Sequence, residues 1–79
     1  MNLFFLASNG ERRLVKENIQ LEENADAVTS KVVNHEIKKY VAALNPSYKI
    51  YYTRSWHSAK EKGTMYDIGS HTEFFLLTD

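Results

Sequence analysis

The chain has 79 residues, enough for one domain with a small core, and its 43% hydrophobic and 25% charged content excludes a disordered composition. Ten basic residues balance ten acidic ones, so no net positive field exists to collect nucleic-acid phosphates, and nucleic acid is not the default partner. Cysteine is absent, which excludes disulfides, thiolate catalysis and thiolate metal sites and fits a reducing cytoplasm.

Leu3 to Ala7 is the first apolar run, too short for a signal-peptide core or a membrane span, and reads as a strand. Asn9-Gly10 separates it from Arg12-Arg13-Leu14-Val15, which predicts a hairpin closed by a type I′ turn. From about Asn24 to Leu44, Val28, Val33, Ile37, Tyr40, Val41 and Leu44 recur at helical spacing, so an amphipathic helix is expected to bury that stripe. Asn24 is the candidate N-cap with Asp26 in the first turn, and Asn45-Pro46 stops the helix because the residue before proline avoids the α region.

From Tyr48 the period changes to two, with Tyr48, Ile50, Tyr52 and Trp56 on the apolar side of a half-buried strand. Ser58 to Thr64 is polar and reads as a loop, after which Met65 to Leu77 reads as one strand that Gly69 bends or bulges. Pairing residue 57 with 65 sets Lys49 opposite Glu73, Tyr51 opposite His71, Ser55 opposite Asp67 and Trp56 opposite Tyr66. The order is ββαββ: a single α+β domain over residues 1–79, one helix packed on a mainly antiparallel four-stranded sheet.

Phe4-Phe5-Leu6, Leu14-Val15 and Phe74-Phe75-Leu76-Leu77 place large apolar residues next to one another, and alternation sends neighbours to opposite faces of the sheet. One helix covers one face, so the other is expected to meet a second copy of the chain or a different protein. Phe4, Leu6, Tyr51, Phe75 and Leu77 are the candidate partner-facing residues, and the function expected from them is non-enzymatic protein binding. The opposing possibility is that loops or the chain ends cover that face or that central strands tolerate the exposure.

His57, Asp67, His71 and Glu73 form the one cluster of residues suited to metal or acid–base work. The His71-x-Glu73 spacing matches a fragment of the zinc-deaminase signature, which fails without its cysteine ligands. His57, Asp67 and His71 as a mononuclear site compete with ordinary cross-strand polar pairing, so no metal and no cofactor is assigned. Ser55, His57 and Asp67 lack the nucleophile elbow and oxyanion loop that a triad needs. Arg12, Arg13 and Lys16, joined by Arg54, are the one local basic cluster, but Glu11 and Glu17 flank it, and a solvated hairpin face explains it more simply.

Two resemblances add to this reading. Gly69-Ser70-His71-Thr72-Glu73-Phe74 resembles the G-S-H-x-x-[FY] strand motif of the HicA toxin ribonucleases, which implies a catalytic role for His71 in an alternative, enzymatic reading. The rest of the chain departs from that family's pattern, and its zero net charge suits RNA poorly. The stretches Tyr51-Tyr52-Thr53-Arg54-Ser55-Trp56 and Tyr66-Asp67-Ile68-Gly69-Ser70-His71-Thr72-Glu73-Phe74-Phe75 resemble small uncharacterised proteins encoded by phages and prophages of Gram-positive bacteria. That resemblance covers about the C-terminal third and implies a viral accessory protein in the host bacterial cytoplasm, acting on a host or defence protein as inhibitor or adaptor. It implies no site residue.

Overall fold

The computed structural model describes residues 1–26, 30–50, 54–69 and 73–79. Strands β1 (Asn2–Leu6) and β2 (Arg12–Lys16) precede helix α1 (Lys31–Leu44), and β3 (Arg54–Ser58), β4 (Gly63–Asp67) and β5 (Phe74–Thr78) follow it. The strands form one antiparallel sheet in the order β2-β1-β5-β4-β3. The fold is therefore α+β with five strands and the order ββαβββ, where four strands were expected. Met65 to Leu77 is not one strand: it is cut between Asp67 and Phe74, with Gly69 at φ +96°, and β5 turns back to lie beside β4.

The first hairpin forms where Asn9-Gly10 predicted it, with a different turn. Ala7 and Glu11 close a three-residue loop: the Ala7 N–H donates to the Glu11 carbonyl at 2.9 Å, and the Gly10 N–H donates to the Ala7 carbonyl at 3.0 Å. Gly10 has φ +86°, while Asn9 is not among the residues with positive φ. This is the longer loop that ends on a left-handed glycine, rather than type I′, which needs positive φ at both central residues. Asn9 accepts the Glu11 N–H on its side-chain oxygen at 2.9 Å instead.

The helix begins at Lys31 rather than near Asn24, because its N-terminal donors find their acceptors there. Ser30 is the N-cap, and its hydroxyl accepts the Val33 N–H at 3.2 Å. Glu22 reaches in from the preceding loop, accepting the Ser30 hydroxyl at 2.6 Å and the N–H groups of Lys31 and Val32 at 2.8 and 3.4 Å. The first three helical N–H groups are thereby satisfied by Ser30 and Glu22, whereas Asn24 takes φ +64°, away from the extended conformation of an N-cap. The helix stops at Leu44, before Asn45-Pro46, as the sequence predicts.

Val33, Ile37 and Val41 are buried against Leu3, Phe5, Tyr66, Phe75 and Leu77, with Ile19 and Ile68 completing the core. Tyr40 packs on Phe5 and Phe75 at ring-centroid distances of 5.3 and 6.0 Å. Leu44, expected on the buried stripe, is exposed, and Val28 lies outside the described residues. Burial pushes the Tyr66 hydroxyl up to about 12, as expected for a phenol held neutral in an apolar core.

The register of the second hairpin differs from expectation by one residue: Arg54 pairs with Asp67, Ser55 with Tyr66, Trp56 with Met65 and His57 with Thr64. A one-residue slip moves every side chain to the other face. Trp56 and Tyr66, expected side by side, therefore stand on opposite faces. Tyr48 and Ile50 precede the strand instead of belonging to it, and Tyr51, Tyr52 and His71 lie outside the described residues. Among the described residues, no helix is long and apolar enough to cross a membrane.

Candidate functional site

The sheet pairings fix which residues share the face turned away from α1. Leu14 pairs with Phe4, Phe4 with Leu76, Leu76 with Met65 and Met65 with Trp56, so one apolar residue from each of the five strands forms a continuous row. The next row on the same face runs Arg12, Leu6, Phe74, Asp67, Arg54, with an apolar centre between charged ends. Phe74 and Trp56 join the two rows edge to face, their centroids 6.3 Å apart.

Burial grades along the first row from its middle outward. Leu76 is wholly buried and Met65 nearly so, Phe4 is half-buried, and Leu14 and Trp56 at the two ends are 51% and 42% exposed. Helix α1 lies on the opposite face and does not cover these middle residues. Arg12, on edge strand β2, holds Glu61 at 3.1 Å, and Glu61 lies in the turn between β3 and β4 at the diagonally opposite corner. That contact requires the sheet to coil and the turn to fold toward this face. The Arg12 guanidinium also lies 5.4 Å above the Phe4 ring.

Gly63 lets β4 pack tightly against β5. A Cβ there would stand 2.3 Å from the Leu77 carbonyl oxygen and 3.1 Å from a Leu76 methyl, so the β4 backbone crosses β5 at a distance that only glycine allows.

Of the expected partner-facing residues, Phe4 and Leu6 do lie on this face. Phase separates the others: Phe75 and Leu77 pair with Phe5 and Leu3 and are wholly buried beneath the helix, so they are core. Their neighbours Phe74 and Leu76 take the places assigned to them. Tyr51 lies outside the described residues. Leu14, Met65 and Trp56 complete the face and were not foreseen in that role. The cross-strand charge pair of Arg54 with Asp67 was the available signal, since opposite charges directly opposite one another fix the register.

Two of the polar candidates, His57 and Asp67, do not converge. His57 points to the helix side, its Nδ1 3.2 Å from the Thr64 hydroxyl, whereas Asp67 points to the other face and accepts from Arg54 at 2.7 Å and from the Gly69 N–H at 2.8 Å. The two cannot share a metal or a proton. Among the described residues, no group of three His, Asp or Glu side chains stands close enough to hold a metal ion. His71, the residue of the ribonuclease resemblance, lies outside the described residues.

The three arginines of the basic cluster are each paired with a carboxylate. Arg12 pairs with Glu61 at 3.1 Å, Arg13 with Glu11 at 3.0 Å and Arg54 with Asp67 at 2.7 Å. The Arg13 guanidinium, by hydrogen bond and by charge, holds the Glu11 carboxyl below its ordinary range. No protein-family model, no curated protein and no solved structure matches the chain.

Proposed function

We propose that this chain is a non-enzymatic protein-binding module that engages its partner through the sheet face opposite the helix. In the setting its C-terminal resemblance implies, it is a phage accessory protein that inhibits or adapts a host or defence protein. The observation that supports the reading is the apolar row crossing all five strands, with its ends on Leu14 and Trp56, the two most exposed large apolar residues of the sheet. An aromatic and an aliphatic side chain at the ends of an apolar strip, flanked by Arg12–Glu61 and Arg54–Asp67, match the apolar centre and polar rim of protein interfaces. The paired arginines weigh against phosphate binding as the main activity.

The test is capture of host proteins on immobilised wild-type chain and on Leu14→Glu, with circular dichroism as the check on folding. A protein retained by the wild type and lost on Leu14→Glu is the expected result. Equal capture by both forms would remove the face from the proposal. Cleavage of labelled single-stranded RNA that His71→Ala abolishes would replace binding with the ribonuclease reading.

A further inference from the structure

The sheet has two outer edges, β2 and β3, and they differ in how they resist another strand. Of the five residues of β2, Arg12, Arg13 and Lys16 are basic. Pairing β2 antiparallel with a second β2 about Leu14 would place Arg12, itself paired with Glu61, opposite the other copy's Lys16, so that basic residues face each other at both ends of the ladder. Charged edge residues of this kind are how native sheets discourage addition of a further strand.

Strand β3, Arg54-Ser55-Trp56-His57-Ser58, has one such residue, Arg54, an exposed side chain whose guanidinium pairs with Asp67 of the neighbouring strand at 2.7 Å. Pairing β3 antiparallel with a second β3 about Trp56 sets Arg54 opposite Ser58 and Ser55 opposite His57, with no like charges opposed. Pairing β2 with β3 of another copy, antiparallel about Leu14 and Trp56, opposes Lys16 to Arg54 and leaves both outer edges of the pair open, so that association does not close.

We infer that two copies of this chain associate edge to edge through β3, antiparallel about Trp56, to make one ten-stranded sheet. The occupant follows from charge: of these three edge pairings, this one alone opposes no like charges and closes on a two-fold axis. The apolar rows of the two copies then meet end to end at the paired Trp56 rings, joining two docking faces into one surface with two equivalent halves. A five-residue ladder buries far less than the roughly 1,200 Å² at which stable interfaces begin, so the dimer is a weak one that forms with rising concentration.

Sedimentation velocity of the wild-type chain over a wide concentration range is expected to show a 9.2 kDa species giving way to one of twice that mass. The chain has no cysteine, so single substitutions report position directly. Paired residues on a two-fold between antiparallel strands stand about 4.5 to 5.5 Å apart at Cα, within the span of a disulfide. Trp56→Cys is expected to oxidise to a linked dimer while Leu14→Cys stays monomeric. Because Trp56→Cys removes the ring as well, a charge test accompanies it: Ser55→Asp with His57→Asp is expected to abolish the dimer, and Ser55→Lys with His57→Asp to retain it. A monomer at every concentration, equal cross-linking at both cysteine positions, or the same behaviour from both charge pairs would overturn the inference. Leu14→Glu, which tests the docking face, leaves the β3 edge untouched, so failure of the one proposal is told apart from failure of the other.

Discussion

The two faces of this sheet reach burial by different means. On one, Val33, Ile37 and Val41 of the helix lie over Leu3, Phe5, Tyr66, Phe75 and Leu77, and a covering element excludes water from every central position. On the other, Leu76 and Met65 are buried on the side away from the helix, and exposure rises toward Leu14 and Trp56 at its edges. The exposed apolar surface of that face is at its margins.

The largest test of this contrast is Ile37→Ala, which deletes a residue 1% exposed from the covered face. It should cost about 2 to 5 kcal/mol, a large part of the stability a domain this small commands, and is read as a fall in the urea midpoint. Leu76→Ala removes an equally buried side chain from the other face. With no rigid helix above it, the surroundings collapse more readily, so the cost should sit near the lower end of that range, about 2 kcal/mol. A Leu76→Ala loss matching that of Ile37→Ala would show that the second face is a core as firmly built as the first.

Ser30→Ala comes next, because Ser30 ties the helix to its face from the N-terminal end, and loss of such a cap costs about 1 kcal/mol. Its partner Glu22 adds a pH dependence. The Ser30 hydroxyl, and after it the Lys31 N–H, lower the Glu22 carboxyl from 4.5 to about 2 in the folded chain. A lowered folded value means that this contribution is full above about 4.5 and is lost as pH falls toward about 2. Glu22→Gln should flatten the stability profile within that acid window and leave it unchanged at neutral pH apart from a constant offset.

The smallest effect expected on stability is that of Arg12→Ala, since an exposed ion pair contributes no more than about 1 kcal/mol. Its informative readout is fluorescence of Trp56, the chain's one tryptophan. Loss of the Arg12–Glu61 contact should let the corners of the sheet part, and the emission should move to the red. An unchanged spectrum would mean that the coil of the sheet holds without that pair.

What the sequence made legible was local. Asn9-Gly10 marks the hairpin, Val33, Ile37 and Val41 mark the buried stripe, and Asn45-Pro46 marks the helix end, each within a few residues of the feature it causes. What it hid was set at a distance. The helix starts at Lys31 because Glu22, eight residues before Ser30, supplies the acceptors, and nothing in the run from Asn24 announces that. The phase of β5 was equally hidden, since Phe74-Phe75-Leu76-Leu77 is apolar throughout and alternation alone cannot say which pair faces the helix. Pairing with Phe5 and Leu3 decides it, and with it whether Phe75 or Phe74 belongs to the face opposite the helix.

The position of β5 between β1 and β4 also governs how this molecule comes into being. Asn2 pairs with Thr78, so the middle of the sheet joins segments separated by nearly the whole sequence, and the entropy of closing that loop is lost before the pairing repays it. Until β5 has been made, the β1–β2 and β3–β4 hairpins have no strand to join them and the Leu3 and Phe5 side chains have no Leu77 and Phe75 beside them. Folding should accordingly be slow for so short a chain, and during synthesis both hairpins wait with apolar surface bare, a period in which a chaperone or an early-bound partner has most to offer.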